Sequence, residues 1–334
     1  MEIGGRKQWK ELLLTQDREL RQQLFASARQ VREQWYGKAV LIRGLIEFTN
    51  YCKNDCYYCG IRRSNQNCVR YRLTEEEIIS CCQKGYDLGF RTFVLQGGED
   101  MFFTDIHLSR IVAKIKEAYP DCAVTLSVGE KSRKSYEMFF KAGADRYLLR
   151  HETANKTHYQ KLHPTEMSLE NRKRCLWDLK EIGFQVGAGM MVGSPYQTVD
   201  YLLEDLEFLK ELQPDMVGIG PFIPHHETDF AKESAGTVEQ TLKVLAIVRL
   251  LLPKVLLPAT TALGTLQSDG REQGILAGAN VVMPNLSPEN VRGNYLLYDN
   301  KLCTGIEAVE GLEKLKQSME HIGYKVVVGR GDRV

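Results

Sequence analysis

The stretch "AVLIRGLIEFTNYCKNDCYYCG" occupies residues 39–60 and runs an apolar segment, 39–48, directly into a loop holding Cys52, Cys56 and Cys59. A segment apolar on successive rather than alternate residues reads as a strand buried on both faces, the kind a parallel sheet uses. Seven more such runs follow: "RTFVLQ" (91–96), "CAVTLSV" (122–128), "DRYLLR" (145–150), "QVGAGMMV" (185–192), "DMVGIG" (215–220), "VLLPA" (255–259) and "NVVM" (280–283). Stretches of helical period separate them. "TEEEIISCCQKGYDLG" is one, opened by Thr74 with Glu77 three residues on as a capping box, and "YLLEDLEFLKEL" is another. Eight strand–helix repeats predict an α/β fold, a complete (β/α)8 TIM barrel, over an open doubly wound sheet; no G-x-G-x-x-G follows the first run. Residues 6–35 read as amphipathic helix. The predicted organisation is therefore 1–36 as N-terminal helices capping the barrel, 37–300 as the barrel, and 301–334 as a C-terminal helix and tail packed on it.

The bulk numbers agree with a large enzyme core. The chain has 334 residues, 43% hydrophobic and 26% charged, with a net charge of +1. That charge balance argues against a nucleic-acid or anionic-membrane partner. No apolar run approaches the roughly 20 residues that cross a bilayer, and the N-terminal "MEIGGRKQWKELLL" lacks a signal-peptide core. Nine cysteines, an odd number, without an export signal predict reduced thiols and a cytoplasmic location. Cys81, Cys82, Cys122 and Cys175 fall inside helix or strand patterns and read as small core residues.

In a barrel, chemistry collects where strands end and loops begin. Those ends carry the cysteine loop, "QGGED" (96–100), "SVGE" (127–130), "RHE" (150–152), "ATT" (259–261) and "MPN" (283–285). The thiols are spaced C-x3-C-x2-C, with no distant C-x2-C pair to complete a four-ligand zinc site; Cys68 is the nearest extra thiol. Three soft ligands also suit an iron–sulfur cluster with one iron left open. On the residues alone, both readings stand. Arg150 at a strand end demands an anionic partner, and Glu152, two residues on, shares its face. "PHH" (224–226) reads either as a metal-binding pair or as a solvated loop.

The C-x3-C-x2-C spacing with Tyr58 before the last cysteine resembles the signature of radical S-adenosylmethionine (SAM) enzymes, placed as in that superfamily after the first barrel strand. The resemblance covers nearly the whole chain. "IEFTNYCKNDCYYCGIRRSNQN", "VLQGGED", "TLSVGE", "ADRYLLRHETAN", "MVGIGPFIPH", "PATTALGT" and "GANVVMPN" together resemble the HydE family of FeFe-hydrogenase maturases, in the biotin synthase-like branch beside the methylornithine synthase PylB. The resemblance implies one 4Fe-4S cluster on Cys52, Cys56 and Cys59, whose open iron chelates SAM. It implies SAM contacts from Tyr58, Gly97, Gly98, Glu99, Ser127, Glu152 and Arg172, with "GAGMMVG" (187–193) flanking the adenine. The substrate half of the cavity would use Gln96, Thr125, Arg150, Met216, Thr260, Thr261, Met283 and Tyr295.

The implied activity is that of a maturase assembling the hydrogenase H-cluster, with a 5′-deoxyadenosyl radical attacking a substrate sulfur. The implied partners are an anionic, sulfur-containing small molecule or an iron–carbonyl–cyanide precursor, an electron donor such as a ferredoxin or flavodoxin, and other hydrogenase maturases. The rival readings are a PylB-like amino acid mutase, a HydE-like enzyme on another sulfur-containing small molecule, and a metal-delivering scaffold that binds no SAM. Some HydE proteins carry a second cluster on a C-terminal cysteine motif. Here Cys303 has no cysteine after it, so no second cluster is expected.

Overall fold

The computed structural model describes residues 3–302 and 308–334; Cys303 lies outside them. The strands are β1 (Ala39–Ile42), β2 (Gly44–Thr49), β3 (Thr92–Gly97), β4 (Ala123–Ser127), β5 (Arg146–Leu148), β6 (Gln185–Val192), β7 (Met216–Pro221), β8 (Val281–Val282) and β9 (Lys325–Val327). β2 to β7 pair in sequence order, each parallel to the next. The run 255–259 stands between β7 and β8: Leu256 bridges Met216 and Pro258 bridges Val281. Pro258 has no N–H to give, so this stave is held by single bridges rather than a regular ladder. β8 pairs with β1, and Leu45 of β2 bridges Asn285 just beyond β8. The ring therefore closes, and the eight apolar runs are its eight staves.

The first run differs from its reading in one respect. It is two strands that meet at Arg43: β1 pairs with β8 and β9, and β2 with β3. At the junction Gly44 leaves no room for a side chain, because an added Cβ would lie 2.3 Å from Leu286 Cδ1.

The capping box forms as expected. Thr74 Oγ1 accepts the Glu77 N–H at 3.2 Å and Glu77 returns to the Thr74 N–H at 2.7 Å, opening the helix Glu75–Asp87. Cys81, Cys82, Cys122 and Cys175 are buried. The stretch 6–35, read as continuous helix, is two helices, Arg6–Leu14 and Arg18–Tyr36. Asp17 starts the second by accepting the Glu19 and Leu20 N–H groups, a local cap stronger than the helical period running through it. The first packs on the outer layer against Val199–Leu212 and Val238–Leu251, the second against Val238–Leu251.

After the helix Ala308–His321 the chain adds a strand that the sequence did not announce, β9 alongside β1. The tail then crosses the ends of the staves opposite the cysteine loop. Arg330 O accepts from Thr92 Oγ1 at 2.7 Å and from Arg146 Nη2 at 2.7 Å, while Asp332 takes the buried Arg146. The barrel is closed below, so its open face is the one that carries the strand-end residues.

Candidate active site

The loop after β2 is held by its own polar groups. Asn50 closes its base: Nδ2 donates to Val69 O at 2.8 Å and Asn294 O at 2.7 Å, and Oδ1 accepts the Tyr71 N–H at 2.8 Å. Arg70 donates into the loop to the carbonyls of Asn50, Ile61, Arg62 and Asn65. Asp55 accepts from Arg62 and Ser64. Burial opposes its charge, but these donors hold its carboxyl down at about 2.

On this frame Cys52, Cys56 and Cys59 are free and half-buried. Burial raises all three thiol pKa values, Cys59 to about 12, and for Cys56 the charges of Cys59 and Cys52 add to it. Three thiolates here would require compensating positive charge, of the kind a bound metal supplies. A single tetrahedral ion draws its ligand atoms within about 4 Å of one another. Among the described residues, the group of metal-ligating atoms mutually within 4.8 Å is His225, His226 and Asp299, and the three thiols are not part of it. The three thiols are therefore not all within 4.8 Å of one another.

The histidine group is a clasp. His226 Nδ1 lies 2.7 Å from Asp299 Oδ1, and His225 Nδ1 accepts the Glu227 N–H at 3.1 Å, which leaves the His225 proton on Nε2. His225 is buried under Gly60, whose added Cβ would lie 2.6 Å from its Nε2. His226 is exposed to solvent and Asp299 partly so.

Next to the cysteines, Gly97 and Gly98 end β3. A Cβ on Gly98 would lie 2.2 Å from Tyr51 O and 2.8 Å from Cys52 Cβ. Glycine there lets the cysteine loop close on the strand, a reason internal to the protein beside the ligand approach the resemblance implies. The Glu99 N–H points at Cys52 Sγ, 3.4 Å away. The Glu99 carboxylate pairs with Lys53 at 3.1 Å and accepts the Glu130 N–H at 3.0 Å. It lies against Gly129, whose φ of 77° and lack of Cβ leave it space. Ser127 ends β4 in register with Gln96.

Arg172 sits deeper, with Nε 2.6 Å from Glu130 Oε1 and Nη1 3.4 Å from Arg150 O. Burial works against its charge, yet Tyr159, Glu130 and Glu99 together hold its pKa above the usual arginine value. Glu130 lies in "SVGE" without a role in the sequence reading; its pairing with Arg172 joins the end of β4 to the first turn of the helix Leu169–Ile182, beyond the reach of a local motif.

Tyr58 and Cys59 open onto a cavity of about 290 Å³ in the barrel mouth. Gln96, Arg150, Glu152, Thr260, Thr261 and Met283 line it, and Met216 is on its floor. Met191 lines it too, while Met190 is in the core. Two substrate candidates stand apart. Thr125 is buried lower in the barrel, beside Arg43 and Arg146. Tyr295 is buried behind Gln96, to which its hydroxyl bonds.

Arg150 was expected to need a ligand anion, and here the structure differs. Arg150 Nη2 lies 3.1 Å from Glu152 Oε2 and donates to Met190 O at 2.7 Å, so the protein itself answers its charge. Its Nε remains buried without a hydrogen-bond partner, as does Thr260 Oγ1. Sequence reasoning missed four charged wall residues: Glu47, Arg271, Arg292 and Lys301. Glu47 is buried between Lys301 at 2.5 Å and Asn285 at 2.8 Å. Arg271, 3.5 Å from Thr261 Oγ1, has no carboxylate partner among the described residues, and burial lowers its pKa. Among the described residues, Arg150, Arg271, Arg292 and Lys301 face two wall carboxylates, Glu47 and Glu152. Glu152 pairs with Arg150 and Glu47 with Lys301.

A family model described as the Radical SAM superfamily matches residues 46–209. The [FeFe] hydrogenase maturase subunit HydE of Thermotoga maritima is 48% identical over 316 residues, covering 95% of this chain and 90% of that protein. The 3-methylornithine synthase of Methanosarcina acetivorans is 29% identical, covering 87% and 82%. The crystal structure of methylornithine synthase, PylB, superposes with a TM-score of 0.86 at 26% identity, covering 98% of this chain and 95% of that one. With its strand-end cysteines and a relative of that identity along its length, the chain belongs to the radical SAM superfamily, in the group of the hydrogenase maturase HydE.

Proposed function

We propose that this protein is a radical SAM maturase acting in assembly of the FeFe-hydrogenase active-site cluster. The observation that carries this reading is the 48% identity with HydE across 95% of the chain, joined to a cavity in the barrel mouth at the cysteine loop, on whose wall Arg271 has no carboxylate partner among the described residues. Cys52, Cys56 and Cys59 would hold one 4Fe-4S cluster, and Gly97, Gly98, Glu99, Ser127, Glu152 and Arg172 would surround SAM. When bound, cluster and SAM supply a 5′-deoxyadenosyl radical. The chain's own part is to hold, orient and shield. The barrel walls keep water from the reacting centre, and Arg150 Nε, Arg271 and Thr260 Oγ1 offer donors to an anionic, sulfur-containing substrate or iron–carbonyl–cyanide precursor. A ferredoxin or flavodoxin would supply the electron and other hydrogenase maturases the context. No helix among the described residues is long and apolar enough to cross a membrane, and the reduced cysteines fit action in the cytoplasm.

A PylB-like mutase would need an acid near β8 to receive a substrate ammonium. Glu47 is such an acid, reaching from β2, which keeps this second reading in view; its charge, however, is already taken by Lys301. The test is complementation of a bacterium lacking its own HydE, scored by hydrogenase activity. Restored activity, lost in Cys56→Ala, supports the maturase. Expressed, cluster-loaded protein that restores nothing, or that forms methylornithine from an amino acid, overturns it.

A further inference from the structure

The helix Lys156–Leu162 ends against the cysteine loop, and it grips the tyrosine pair there twice. The Tyr57 N–H donates to Leu162 O at 3.0 Å, and the Tyr58 hydroxyl lies 3.1 Å from His163 Nε2. His163 is buried and its ring stacks on Tyr159 with centroids 3.9 Å apart. The direction of the Tyr58 bond follows from the other ring nitrogen. His163 Nδ1 lies 3.0 Å from Tyr159 O, a carbonyl that can only accept, so Nδ1 carries the proton and Nε2 has a lone pair. Tyr58 is therefore the donor. Burial, with the Arg172 charge behind it, pushes His163 down to about 3, so the ring stays neutral and the arrangement does not titrate near neutrality.

We propose that His163 is a positioning residue for the cofactor wall: by accepting the Tyr58 hydrogen bond it fixes the orientation of the ring that lines the cavity beside Cys59. The ring meets His163 edge-on, centroids 5.4 Å apart and planes at 89°, a contact that sets one face of Tyr58 in place. A tyrosine free to swing would take its ring out of the wall. Holding it beforehand lowers the ordering cost a ligand otherwise meets on binding. This inference rests on the reading that SAM lies against Tyr58.

The experiment uses cluster-reconstituted holoenzyme and S-adenosylhomocysteine, which is not cleaved, so that the dissociation constant is read by calorimetry without turnover. His163→Phe keeps the stack on Tyr159 and removes the acceptor; Tyr58→Phe keeps the ring and removes the donor. Each is expected to raise Kd roughly three- to tenfold, and the double variant no further than the larger single one, since both delete the same bond. His163→Gln, whose side-chain oxygen can take the Tyr58 proton, is expected to recover most of the loss. Additive losses overturn the proposal, as does an unchanged Kd in His163→Phe while Tyr58→Ala binds weakly. If His163→Phe does not fold, an unchanged Kd in Tyr58→Phe overturns it alone. An unchanged Kd in Tyr58→Ala instead removes the underlying reading that SAM lies there.

Discussion

Arg150 and Glu152, two residues apart at the end of one strand, face each other across 3.1 Å inside the barrel mouth. Alternation along the strand puts both side chains on one face, and Glu152 leaves it with φ of 64°, a conformation non-glycine residues adopt rarely. The pair satisfies part of Arg150 and leaves its Nε for a ligand. A cysteine-derived thioether carboxylate is expected to give an adenosyl–sulfur adduct under reducing conditions with SAM, and its methyl ester is not. Arg150→Ala should abolish the preference for the acid. Product trapping by mass spectrometry checks this: equal turnover of acid and ester, or transfer to carbon, rejects an anionic sulfur substrate held at Arg150.

Arg172 is the next residue whose role is open to measurement. Its ion pair with Glu130 explains its burial without any ligand, so binding and stability must be read separately. Arg172→Ala is expected to weaken S-adenosylhomocysteine binding by about 1.5–3 kcal/mol, the worth of one charged hydrogen bond. Glu130→Gln should lower the melting temperature but cost less affinity. If both variants lose stability and neither changes Kd, Arg172 is a strut for Glu130 and not a cofactor ligand.

What could be read beforehand was local. The eight apolar runs, the Thr74 capping box and the cysteine spacing each signal within about a dozen residues. The partners of site residues were not local. Tyr58 and His163 are 105 residues apart, and Glu47 and Lys301 are 254 apart, so no periodicity links them. Arg150 shows the limit of local reading: the resemblance gives Glu152 to SAM, and only the folded geometry shows that it also pairs with Arg150. β9 was hidden for another reason, since its three paired residues near the chain end are too short a run to signal a strand.

The thiols lead to a metal count. Because Cys52, Cys56 and Cys59 carry the C-x3-C-x2-C spacing within a radical SAM family match, anaerobic reconstitution is expected to give about four irons and four sulfides per chain. Replacing any one of the three by Ala should leave less than one cluster per chain and abolish SAM cleavage. Iron and sulfide assays decide it. About eight irons would require a second cluster, and stoichiometric tight zinc in place of iron would reject the cluster.

The tail offers a test that involves no cofactor. Asp332 accepts from Arg146, from Arg330 at 3.0 Å and from Gln185 at 3.1 Å, closing the barrel end opposite the site. Burial favours its neutral form, but the two guanidinium groups outweigh that and hold its pKa at about 2, below the 3.8 of a free aspartate. In that window the unfolded chain binds the proton first. The Asp332 contribution is therefore fully present above about pH 4 and is lost as pH falls through about 2. The side chain is 38% exposed, so solvent screening limits the contribution to roughly 1 kcal/mol. Asp332→Asn is expected to lower the melting temperature of the cluster-free protein by about 2 °C at pH 7. The gap between variant and native protein should close as the pH approaches 2. A gap that stays constant from pH 7 to pH 2.5, or that widens in acid, would show that the tail is held by packing of β9 and not by this carboxylate.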